Sequence, residues 1–128
     1  MDSLEQILKL PIIIGGDFNS GSHLDWIEST KDVHYNKVIE WPVSKLMVDN
    51  GYVDSFRESN PDSRETLEGT WGFLNEDLIS DRIDYIYFKG ENINVLDSRI
   101  IMDDPPEGFF NSDHRAILSE FKITKEQI

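Results

Sequence analysis

The sequence has no cysteine, only 12 lysine and arginine residues together, and no apolar run of membrane length. Without cysteine there are no disulfide staples, thiolate metal sites or thiol nucleophiles, while the redox compartment stays open. The few basic residues stand against 25 aspartates and glutamates, a formal charge of −13 at pH 7. Nucleic-acid binders draw much of their affinity from neutralising phosphates with Lys and Arg, so a polynucleotide partner is disfavoured. A bilayer span needs ~20 consecutive apolar residues, so no membrane span is expected. Met1-Asp2-Ser3-Leu4-Glu5 lacks the basic start and long apolar stretch of a secretory signal, and localisation is left unassigned.

What is present suffices for a core. The chain has 128 residues, 38% of them hydrophobic and 11% aromatic, the size and composition of one domain or part of a larger one. Its acidity suits a cleft that holds divalent cations, because hard cations take carboxylate oxygen. No repeat, low-complexity tract or linker divides the sequence.

The pattern predicts a short helix over Ser3–Leu10, opened by a Ser3/Gln6 capping box and stopped by Pro11. Ile12-Ile13-Ile14 predicts a strand covered on both sides and ended by Gly15-Gly16. A short helix is expected over Ser22–Ser29. A better one starts at Pro42, with Val43, Leu46 and Met47 as its apolar stripe and Asn50-Gly51 as its terminator. Arg57–Gly69 reads as a surface loop. Arg82–Phe88, Asn94–Met102 and His114–Ile123 read as strands, with Asp103–Gly108 as a loop between the last two.

Chemistry concentrates at three places. Asp17-Phe18-Asn19 follows a strand and two glycines. Its carboxylate could orient water or bind a cation, and its amide could donate to a developing oxyanion. The plain alternative is a turn, which Asp, Asn and Gly all favour. Asp17, Asn19, Asp25 and Glu28 approach calcium-loop spacing, but Gly21 and Ser22 occupy the wrong positions, which excludes an EF-hand. Asp84 sits mid-strand, where an ionised carboxylate needs a partner. That partner is either Arg82 or a histidine whose tautomer Asp84 would fix. Ser112-Asp113-His114 supplies such a histidine beside a potential metal ligand. His23 lies near the Asp17 turn and could reach substrate. For His34 a surface position is expected.

Gly16-Asp17-Phe18-Asn19, Thr70-Trp71, Arg82-Ile83-Asp84-Tyr85 and Ser112-Asp113-His114, in that order, resemble the second half of the endonuclease/exonuclease/phosphatase family, the DNase I-like fold. The likeness runs from about Pro11 to Ile123. Gly21–Trp26 and Glu40–Lys45 further resemble a bacterial branch of it. The resemblance implies an α+β, four-layer αββα sandwich, with residues 1–128 forming the C-terminal portion of a single domain. It also implies Mg²⁺-dependent (or Mn²⁺-dependent) hydrolysis of a phosphodiester or phosphomonoester, on a small or lipid-derived substrate.

Carried over by position, Asp17 would activate water and Asn19 would hold a substrate oxygen. His114 would act as acid/base group backed by Asp84, Asp113 and Asp17 would hold metal, and Trp71 would join His23 and Asn19 at the substrate. The family's first-half Asn and Glu metal ligands have no counterpart here. A missing N-terminal half or a homo-oligomer is therefore expected to cover an exposed sheet face. A nuclease of the same fold and a silent association module are the alternative expectations.

Overall fold

The computed structural model describes residues 10–72, 80–102 and 112–125. The expected helix over Ser3–Leu10, but for its last residue, and the Asp103–Gly108 loop lie outside them. The described residues form an α+β arrangement of two small antiparallel sheets and a few short helices.

In the first sheet β3 (Asp84–Lys89) lies between β1 (Ile12–Asp17) and the two-residue β2 (Val53–Asp54). β1 does not stop at its glycines. Gly15 and Gly16 keep the backbone ladder opposite Ile86 and Tyr85, and the strand ends on Asp17 opposite Asp84. Nor is β1 covered on both faces, since Ile12 and Ile13 are 37% and 48% exposed. An antiparallel strand needs only one packed face, and the β-branched run fits either case.

β3 carries the core. Tyr85 and Tyr87 are buried on one face, where the Phe18 ring meets both edge-on at 5.6 and 5.3 Å. Phe88 meets Phe121 at 5.2 Å and so ties this sheet to the second. The second sheet pairs β4 (Ile93–Ile100) with β5 (Ile117–Ile123), with a bulge between Val95 and Asp97. β5 starts three residues later than expected, which leaves His114 in the approach to the strand.

Helix α1 (Pro42–Asp49) has its proline in the first turn, and past its end Gly51 takes a φ of +85°, a conformation that favours glycine. Its expected apolar stripe does not face a core. Val43 and Leu46 are exposed, and the buried residue is Ser44. The stretch predicted as a Ser22–Ser29 helix is a turn followed by a 3₁₀ helix over Glu28–Val33. Helix α2 (Ser55–Ser59) takes the start of the expected Arg57–Gly69 loop; the Asp54 carboxylate caps it by accepting from the Arg57 N–H. Sequence periodicity cannot find a five-residue helix whose cap is also an ion-pair partner.

That ion pair belongs to a buried network. Arg82 donates to Asp25 at 2.7 Å and to Asp54 at 2.8 Å, and Arg57 donates to the same Asp25 at 2.9 Å. Asp25 is therefore an interior counter-ion, and Arg82 is not the partner of Asp84. Burial pushes the Asp25 carboxyl up, but the two guanidiniums outweigh it and hold the carboxyl below its ordinary range. Among the described residues no helix is long and apolar enough to cross a membrane.

Candidate functional site

Strand register builds the site. β1 delivers Asp17 and β3 delivers Asp84 as direct cross-strand partners, so their side chains share a face. Like charges set opposite each other destabilise a ladder, and a cation or donor placed between them relieves the cost. His114 fills that role. It is held by a backbone bridge to Trp71, and its Nδ1 lies 2.8 Å from Asp84 Oδ2. An ionised carboxylate only accepts, so Nδ1 carries the proton and donates.

Nε2 is thereby left as the working nitrogen, 4.0 Å from Asp17 Oδ2 and 3.8 Å from Asp113 Oδ1. The hydrogen bond to Asp84, reinforced by its charge and those of Asp113 and Asp17, raises the His114 pKa above its ordinary value.

The turn after β1 is both a turn and part of the site. Asn19 adopts a φ of +50°, and its backbone N–H donates to Asp17 Oδ1 at 2.7 Å. This occupies one carboxylate oxygen and leaves the other toward His114. Asp113 is mostly exposed and accepts from Trp71 Nε1 at 3.3 Å. Trp71 forms backbone bridges to both Asp81 and His114, which makes it the hinge between these segments.

His23 is not brought to this group. Its Nδ1 lies 2.7 Å from Ser44 Oγ on α1, and burial lowers its pKa. His34 is not on the surface either, being 7% exposed and stacked on Trp26 at 4.3 Å.

One atom each from Asp17, Asp84 and His114 lie within 4.8 Å of one another, close enough to share a cation. The Asp84 oxygen is already engaged by Nδ1–H. Asp113 approaches Nε2 at 3.8 Å but lies outside this group of three. A mixed nitrogen and oxygen set differs from the all-oxygen shell that Mg²⁺ prefers.

Sequence reasoning missed Trp26, Asp81 and Arg57 as residues that shape the neighbourhood. Only Arg82 gave a signal, as a buried cation in need of a partner.

No family model matches the chain. It is 38% identical over 96 residues to an uncharacterised protein of Caenorhabditis elegans, a stretch covering 68% of this chain and 31% of that protein. It is 24% identical over 116 residues to a Dictyostelium discoideum protein named NDRG-like protein, covering 86% of this chain and 36% of that one. The chain thus spans about a third of the length of these relatives. Both organisms are eukaryotes, whereas the sequence motifs resembled a bacterial branch. The relative that bears a descriptive name is named as NDRG-like and not as a phosphoesterase or nuclease, and this overturns the expectation of a metal-dependent phosphoesterase.

Proposed function

We propose that the chain carries a hydrolytic acid–base centre in which His114 moves the proton. The observation that carries this reading is the 2.8 Å bond from Nδ1 to Asp84, which fixes the tautomer and leaves Nε2 facing Asp17. Asp84 is the positioning residue, and Asp17 orients a water held between its Oδ2 and Nε2. His114 takes a proton from that water as it attacks and returns it to the leaving group. A divalent cation held by the Asp17 and Asp84 carboxylates would polarise the same water and leave Nε2 free to accept its proton.

The meeting of β1, β3 and the approach to β5 at one edge supports half of a DNase I-like sandwich as the fold. Fold likeness does not carry chemistry with it. The experiment is hydrolysis of a panel of p-nitrophenyl carboxylic esters by the wild type, His114→Ala and Asp84→Asn. Activity lost in both variants supports the centre, and wild-type rates in His114→Ala refute it.

A second reading concerns association. Ile12 and Ile13 on β1 and Leu118 and Ile123 on β5 are exposed apolar strand residues, which favours a further polypeptide or a second copy over them. Sedimentation velocity over a concentration series tests for self-association.

A further inference from the structure

A cavity of about 200 Å³ lies beside this centre, bordered by Asn19, Gly21, Trp26, Trp41, Trp71 and Asp81. Its walls are built rather than incidental. The Trp26 and Trp41 rings stand 82° apart with centroids at 5.3 Å, forming two perpendicular sides. His34 stacks on Trp26 within 15° of parallel and holds that ring in place. Gly21 makes the closure possible, because a Cβ there would sit 2.8 Å from Trp41 Nε1 and 3.0 Å from Trp26 Nε1.

Two polar groups at this cavity lack partners among the described residues. Trp41 Nε1 is buried and donates to no described residue. The half-buried Asp81 carboxylate accepts no hydrogen bond from the described side chains, and burial raises its pKa despite the nearby His34. Indole faces attract cations, and a desolvated carboxylate needs one. The lone indole N–H calls for an acceptor on the same ligand.

We propose that this cavity binds a substituted ammonium group bearing an oxygen acceptor a few bonds away, with Asp81 and the indoles taking the charge and Trp41 Nε1 the oxygen. Trp71 and Asn19 connect the cavity to His114 and Asp17, so such a ligand projects its remaining atoms toward the acid–base centre. As a specificity pocket for hydrolysis the cavity rests on the function proposed above; as a binding site it does not.

The test is tryptophan fluorescence titration of the chain with choline chloride and with its neutral isostere 3,3-dimethylbutan-1-ol, at matched ionic strength. Choline should bind roughly tenfold more tightly, the worth of a desolvated cation–π contact. Asp81→Asn should erase most of that preference while leaving the alcohol unaffected, and His114→Ala should bind choline normally. Equal affinity for the two probes, or no saturable response to choline, overturns the proposal without recourse to any variant. Choline binding without His114-dependent hydrolysis removes only the proposed function; the reverse removes only the ammonium site.

Discussion

His114 bridges two carboxylates that the sheet register places opposite each other, donating to Asp84 at 2.8 Å and turning Nε2 toward Asp17 at 4.0 Å. The hydrogen bond to Asp84 raises the imidazole pKa above its ordinary value near 6.5. A raised folded pKa stabilises the fold at pH values below the unfolded pKa. That contribution is lost as the pH climbs through the folded pKa. In metal-free protein, NMR titration should find His114 half-protonated above pH 6.5, and Asp84→Asn should bring it back toward that value. A His114 midpoint unmoved by Asp84→Asn would show that the contact does not control the ring.

Cation binding draws on the same crowding of charge. With Asp17 and Asp84 opposed and Asp113 nearby, a divalent ion relieves repulsion that one imidazole offsets only in part. Substoichiometric Mn²⁺ should broaden the His114 ring resonances before those of His23, which pairs with Ser44. EDTA should restore them. Asp17→Asn should weaken the effect by about tenfold or more, since loss of even an outer-shell partner costs about 10–100-fold in metal affinity. Broadening that falls equally on all three histidines would indicate surface association with an acidic protein and no site.

Much of this site was legible in the sequence. Asp17, Asp84 and His114 were readable because each is a polar group where a strand begins, ends or is approached. Their convergence was expected from the family resemblance; the antiparallel register that sets Asp17 opposite Asp84 was not read from the sequence. The position of His23 was not legible: its partner Ser44 lies 21 residues away on a helix that buries a serine rather than its apolar stripe. The strand through Gly15 and Gly16 was misjudged because glycine weakens a strand without ending it when the neighbouring strand supplies the ladder. Sequence proximity offered Arg82 as one of two partners for Asp84, whereas the fold pairs Arg82 with Asp25, 57 residues away, and leaves Asp84 to the histidine.

Arg82 shows what that network is worth. Its side chain is 2% exposed between Asp25 and Asp54, so truncation leaves two buried carboxylates without their main cation. Arg82→Met should destabilise the fold by about 3–5 kcal/mol, the usual cost of breaking a buried pair on one side. Urea denaturation with an unchanged m-value measures it. Because Asp25 is held below its ordinary value near 3.8, the wild type should lose stability as the pH falls through that region toward the folded pKa. The variant should lose less there. A wild-type urea midpoint in Arg82→Met would mean the network is energetically idle.

The two core tyrosines of β3 should respond oppositely to loss of a hydroxyl. Tyr85 Oη lies 2.6 Å from the Arg82 carbonyl and 2.7 Å from the Ser20 carbonyl, sharing one proton between them. It thereby ties the strand to the turn beyond Asn19. Tyr87 is 0% exposed, and its Oη has no hydrogen-bond partner among the described residues. A paired hydroxyl contributes ~0.5–1.5 kcal/mol, while an unpaired buried one costs ~1–3 kcal/mol. Tyr85→Phe should therefore destabilise the protein by about the first amount, and Tyr87→Phe should be neutral or stabilising up to the second. Thermal unfolding of both variants checks the pair. If Tyr87→Phe proves the more damaging, its hydroxyl must be satisfied in solution by water or by a polypeptide that packs over the first sheet. Deuterium exchange at β3, compared between dilute and concentrated protein, then separates water from a second copy of the chain.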